Sequence, residues 1–249
     1  MRYAETMICN PHENGWELVY QSAHALLAAK LVTHWRHDER PERWTETLNA
    51  IAQHDNGWQE WESGTRLSAA GKPLDFRETP DEDVVSHAER VVTRAWHQSL
   101  WTGLLVSSHI SHLHESRRGQ FKPLDKVLDD QIDLRARWCR ELGVTPKEVA
   151  QSYSLVQLAD TFSLVLCMHH LPPDGRALEI GTGPDGAQYN ARVHEDGAIQ
   201  VDPWPYTVDS FTAGVDTYCL DQFTFKSDQD LSRALNEQPA TTRTWNFHK

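Results

Sequence analysis

Leu155-Val156-Gln157-Leu158-Ala159-Asp160-Thr161-Phe162-Ser163-Leu164-Val165-Leu166 is the stretch on which the reading of this chain turns. It is long, mostly apolar and free of Gly and Pro, which marks a buried helix. Its boundaries are well punctuated. Thr145 is a good N-cap, Pro146 suits the first helical position, and Glu148 completes a capping box. The helix is expected to run to about His169, with Pro172-Pro173 ending it. Asp160 lies in the middle. An ionised carboxylate there is costly unless it is paired, hydrogen-bonded or bound to a metal.

Working outward, other polar residues interrupt apolar helices in the same way. A first helix, about Ser22 to Trp35, carries Ala25, Leu26, Ala28, Ala29 and Val32, with His24 among them. A second has Pro41 at its first turn and Trp44, Leu48, Ile51 and Ala52 at helical spacing, and it runs into Gln53-His54-Asp55-Asn56-Gly57-Trp58. A third, Asp81 to about Gln98, contains His87. A fourth, Ser99 to Ser116, contains His109 and His112. A fifth begins near Pro123 and stops at Gly143. Taken singly, each polar residue has an ordinary explanation. His24 can be a hydrogen-bonded core residue, His54-Asp55 a helix C-terminal element before Gly57, and Asp160 the partner of an arginine such as Arg137. As a set they offer what divalent cations take, imidazole and carboxylate ligands supplied one helix at a time toward a common interior. His109 is preferred to His112 as the ligand because Leu105 and Leu113 share its face.

After residue 174 the pattern changes. Ala191 to Val201 carries a turn at Glu195-Asp196-Gly197 between alternating apolar positions, Thr207 to Tyr218 alternates again, Ser227 opens a short helix, and the last residues suit one more strand. The N-terminal segment reads as a short hairpin around Pro11 and Gly15. Asp and Glu outnumber Lys and Arg by 36 to 24, a formal charge of -12. That balance argues against general affinity for nucleic acid or anionic membrane. Four scattered cysteines without a CxxC pair fit reduced thiols. The N-terminus, Met1-Arg2-Tyr3-Ala4-Glu5, reads as lacking an apolar signal core, and no stretch approaches the roughly 18 to 20 apolar residues that span a bilayer. The expected location is therefore cytoplasmic.

The order His24, His54-Asp55, Asp160 resembles the HD-domain superfamily, whose signature is a His on one helix, an adjacent His-Asp pair on the next and an Asp on a later helix. His87 and His109 match, in order and approximate spacing, the two further histidines of its two-metal members. The resemblance covers roughly residues 20 to 170. It implies a metal set of His24, His54, Asp55, His87, His109 and Asp160, with Asp55 bridging two ions. The phrase from Gln53 to Glu62, with His24-Ala25 and Leu105-Val106-Ser107-Ser108-His109, also resembles an uncharacterised bacterial family of unknown function.

The resulting expectation is a mainly α protein, an HD-like helical bundle over residues 1–174 with a small C-terminal antiparallel β-sheet over residues 175–249 packed on it. The implied cofactor is one or two divalent metal ions, iron, manganese or zinc. Asp55 and His112 are the candidate catalytic residues, with His114 as a further acid or base. Trp58 and Trp61 are candidates to wall the pocket, and Lys30, Arg66, Arg94, Arg117 and Arg118 to receive phosphate. The first functional expectation is a hydrolase of a phosphorylated small molecule or nucleotide. The second is a di-iron oxygenase of a small polar substrate. The third is a binding protein without catalysis, whose working surface is the C-terminal sheet.

Overall fold

A computed structural model describes residues 7–57 and 66–249. The chain opens with a hairpin, β1 (Met7–His12) and β2 (Gly15–Tyr20). Four helices follow: α1 (Gln21–Val32), α2 (Trp44–Gln53), α3 (Asp81–Gln98) and α4 (Leu100–His114). Then come α5 (Lys122–Leu142) and α6 (Pro146–Cys167), strands β3 (Leu178–Thr182), β4 (Gln188–Val193), β5 (Ile199–Asp202) and β6 (Ser210–Leu220), helix α7 (Asp228–Glu237) and strand β7 (Thr241–His248).

The helix boundaries follow local chemistry. Thr145 accepts from the backbone N–H of Glu148 while the Glu148 carboxylate reaches back to the N–H of Thr145, so two otherwise orphaned donors at the start of α6 are satisfied. Gly143 ends α5 at φ 66°, a left-handed value that glycine adopts without steric cost. Ser99 caps α4 and Ser227 caps α7. Pro41 does not start the second helix, which begins three residues later at Trp44.

The expected architecture of a mainly α bundle with a small C-terminal sheet is corrected. About half of the chain is helical, and the remainder supports one large, curled, mixed sheet of seven strands in the order β1-β2-β6-β7-β5-β4-β3. The N-terminal hairpin belongs to that sheet, because Trp16, Glu17 and Leu18 of β2 pair with Leu220, Cys219 and Tyr218 of β6. A helical bundle of the HD type therefore does not describe the whole chain. The physical reason is long-range pairing, in which two apolar strand edges some two hundred residues apart satisfy each other's backbone groups.

One apolar core joins helices and sheet. Leu27, Leu31 and Trp35 from the α1 region and Leu158 and Phe162 of α6 pack with Tyr189, Ala191, Ile199, Val201, Val215 and Phe247 of the strands. Phe247 stacks on Phe211 at 4.6 Å and meets Phe162 edge-on at 6.0 Å. A second cluster, Met7, Cys9, Leu18, Leu220, Phe225, Leu231 and Leu235, seats α7 on the other end of the sheet. Helix α6 is central, touching α1, α2, α4 and β3, and Asp160 stands on it.

Candidate metal centre

The side chains of α1, α4 and α6, with the turn that follows α2, converge on one buried polar cluster. His24 and His54 are fully buried, His109 is 1% and Asp160 7% exposed. His24 Nε2 lies 2.8 Å from Asp55 Oδ2, and His54 Nε2 lies 3.1 Å from Asp160 Oδ1 and 3.6 Å from Asp55 Oδ2. His109 Nε2 is 4.0 Å from Asp160 Oδ2. The His54 ring sits edge-on to those of His24 and His109, at 5.1 and 4.8 Å. Two overlapping groups have ligand atoms within 4.8 Å of one another, His24–His54–Asp160 and His54–Asp55–His109.

The outer nitrogen of each inner imidazole has a defined partner. His54 Nδ1 is 2.6 Å from the carbonyl of Ile51, which can only accept, so Nδ1 carries the proton. Ser163 Oγ spends its own proton on the carbonyl of Asp160 at 2.9 Å, so at 3.0 Å it accepts from His24 Nδ1. Both rings therefore turn Nε2 inward toward carboxylate oxygens, the arrangement in which an outer hydrogen bond fixes the ligating tautomer. Donors about 2.1 Å from a tetrahedral cation are about 3.4 Å apart. The observed separations of 2.8, 3.1 and 3.6 Å about His24 and His54, and 4.0 Å from His109 Nε2 to Asp160 Oδ2, bracket that value. The residues present thus fit a divalent ion.

The electrostatics agree. Burial alone would depress the His54 imidazolium, but the Asp55 and Asp160 carboxylates outweigh it and push the pKa up to about 9. Burial would raise Asp55 and Asp160, yet the charge of His54 first, then hydrogen bonds from the histidines, hold both below the usual carboxylate range. Burial, reinforced by the charge of His54, pushes His109 down to about 4, so it is neutral near pH 7. Two carboxylates and a positive imidazole packed together form a group that could hold a cation in place of the shared proton.

The remaining expected residues fall as follows. His87 is buried beside the cluster and, chiefly through burial, has its pKa pushed down to about 4, but it lies outside both ligand groups. Its Nε2 is 3.4 Å from the carbonyl of Asp55. His112 is exposed, 6.0 Å from the Tyr153 ring. His114 is half-buried, pushed down to about 4 mainly by burial. Asp160 does not pair with Arg137, which faces Glu141 at 3.5 Å. Lys30 bonds the carbonyl of Gly214, Arg117 pairs with Asp81, and Arg118 with Glu115 and Asp129. The backbone N–H of Arg66 bonds Asp228. Arg94 reaches the carbonyl of Asn56 at 2.9 Å, and Arg90 that of Gly57 at 2.8 Å, so two guanidiniums grip the turn that carries Asp55. Gly57 is needed there, since a Cβ would stand 2.8 Å from His87 and Val91 atoms. Trp58 and Trp61 lie outside the described residues.

A family model described as a protein of unknown function (DUF3891) matches residues 7–222. The chain belongs to this family. The DUF3891 match runs from β1 to just past β6 and includes every residue of the cluster. No curated protein and no solved structure matches the chain.

Two positions escaped the reading of residue types. Tyr153 Oη lies 3.2 Å from His109 Nδ1, and Ser163 orients His24. They stand seven residues before and three after Asp160, on its own helix face. That spacing was the available signal.

Proposed function

We propose that this protein is a metal-dependent hydrolase acting on a phosphorylated small molecule or nucleotide at the buried histidine and aspartate cluster. The observation that carries the reading is the pair of inward Nε2 atoms, each backed by an oxygen on its outer nitrogen, facing two carboxylates. The ligand order, which resembles the HD pattern, supports it on the helical side of the molecule.

A bound divalent cation would supply Lewis acidity and charge neutralisation for phosphoester cleavage. His24, His54, Asp55 and Asp160 would hold it, with His109 beside them. The histidines are sealed, whereas the side chains of Asp55 and Asp160 are 16% and 10% exposed. A substrate therefore meets the cluster over its carboxylates. These repel a phosphate until a cation offsets them, and Arg90 and Arg94, holding the Asp55 turn, place further positive charge nearby. Tyr153 keeps the His109 ring in place through Nδ1.

A second reading, a di-iron oxygenase of a small polar substrate, draws on the overlap of the two ligand groups through His54. Elemental analysis, colour and a phosphatase and phosphodiesterase panel with manganese separate the two. The first reading expects turnover of a phosphoester that His54→Ala abolishes. A coloured, iron-loaded protein inert across the panel would move the assignment to the second.

A further inference from the structure

We propose that the protein carries a second, solvent-facing zinc site formed by His194, Asp196 and His248, independent of the buried cluster. These residues come from two elements. His194 and Asp196 stand in the tight turn between β4 and β5, and His248 is the last residue of β7. One ligand atom from each lies within 4.8 Å of the others. Asp196 Oδ1 is 3.4 Å from His194 Nδ1, Asp196 Oδ2 is 3.4 Å from His248 Nε2, and the two rings meet edge-on at 5.3 Å.

The donors are held before any ion arrives. Asp196 Oδ1 accepts from the backbone N–H of Ala198 at 3.0 Å, and the turn is closed by hydrogen bonds from His194 N to Ala198 O and from Gly197 N to His194 O. Gly197 sits at φ 83°, where the turn needs glycine. His248 Nδ1 faces the carbonyl of Lys249 at 3.4 Å, which directs Nε2 toward the carboxylate. That Nε2 is itself buried with Asp196 Oδ2 as its ion-pair partner, while the His248 side chain as a whole is 33% exposed. A ring nitrogen aimed at a carboxylate, with a second imidazole on the same carboxylate, is the donor set that a borderline divalent cation takes.

Two imidazoles and one carboxylate suit a borderline divalent ion, and the exposure of His194 (49%) and Asp196 (60%) leaves remaining positions to solvent. The site is therefore exchangeable. Its structural effect follows from topology. Strands β5 and β7 form the sheet's parallel pair, joined at one register position, Ile199 with Phe247. An ion held by the β4–β5 turn and the end of β7 clamps that short junction, and binding to the folded state alone raises stability.

The test uses the full chain dialysed against zinc chloride, with zinc per chain counted for the wild type, His194→Ala, Asp196→Asn and His54→Ala. Histidine reactivity toward diethyl pyrocarbonate is mapped by peptide mass analysis with and without zinc, and melting is followed in parallel. The expected result is one zinc fewer in His194→Ala than in the wild type, weaker retention in Asp196→Asn, zinc protection of His194 and His248, and a zinc-dependent rise in melting temperature that His194→Ala lacks. In His54→Ala the same protection persists while buried metal is lost, which separates this site from the proposed function. Equal zinc content in the wild type and His194→Ala, with both histidines equally reactive, would leave a surface ion pair and overturn the proposal. Loss of the buried metal in His194→Ala would overturn the independence of the two sites.

Discussion

The helical side and the sheet side of this molecule use buried positions in opposite ways. In α1, α4 and α6, together with the turn after α2, apolar faces are broken by His24, His54, His109 and Asp160, and each break adds a polar group to one cluster. In the sheet the buried positions are filled mostly by apolar groups such as Ala191, Ile199, Val201, Val215 and Phe247, which pack, while the buried polar side chains of Tyr189 and Thr217 each spend a hydroxyl on a neighbouring oxygen. Burying a charge is costly and burying a phenyl ring is favourable. Carboxylates and four buried imidazoles, His24, His54, His87 and His109, gather on the helical side as a candidate functional cluster, whereas the sheet gives α6 an apolar support.

That contrast can be broken most sharply by His54→Ala. It should abolish metal retention, and because it strips the cation from two buried carboxylates it should also cost the metal-free fold about 3–5 kcal/mol. Elemental analysis and denaturant melts read the two effects, and a variant that stays fully loaded removes His54 from the centre. Phe247→Ala is the matching change on the sheet side. It removes a ring that is 1% exposed and stacked on Phe211, so it should cost about 3–5 kcal/mol with metal content unchanged. Metal loss there would show that the two sides are not separable.

Finer changes sharpen the comparison. Tyr153→Phe removes the hydroxyl beside His109 Nδ1 without altering ring packing, and affinity for the ion should fall about tenfold, measured by competition with a chelator. An effect on stability alone would make Tyr153 a packing residue. The smallest effect is expected at Glu17 on β2, which binds Arg243 of β7 at 2.6 Å and His169 at 2.7 Å. Burial would raise its pKa, but the hydrogen bond from His169 and the charge of Arg243 outweigh that and lower it from the ordinary 4.5. A depressed carboxylate contributes stability above its unfolded pKa and loses it as pH falls through the folded value. Glu17→Gln should therefore weaken the protein near neutrality, shrinking its advantage below about pH 4.5; parallel pH–melting curves would contradict this.

Much of the helical side is legible in the sequence because its signals are local. Helix α3 spans Asp81–Gln98 as its apolar spacing predicts, and α6 begins at the capping box. The turn at Glu195-Asp196-Gly197 and the strand nature of the last residues are likewise short-range patterns. The sheet as a whole is not legible, because nothing in Trp16-Glu17-Leu18 states that its partner is Tyr218-Cys219-Leu220. Strand β3 hides for another reason: its register shifts between Glu179 and Gly181, and Gly181, at φ 131°, packs under Leu158, so no clean alternation survives. In the cluster, residue type singles out His24, His54, Asp55, His109 and Asp160. Tyr153 and Ser163 look like ordinary polar helix positions until the face they share with Asp160 is considered. The separation of His109 from His112 is set by which face of α4 is buried, and His87, packed against Gly57, meets the backbone carbonyl of Asp55.

The most direct measurement is the metal stoichiometry of the purified 249-residue chain, by inductively coupled plasma analysis, beside that of Asp160→Asn. The account predicts at least one tightly held divalent ion per chain in the wild type and its loss in the variant, where one carboxylate charge is removed at nearly constant shape. Wild-type protein that takes up no ion at the buried cluster from iron, manganese or zinc, or a variant as fully loaded as its parent, would contradict it.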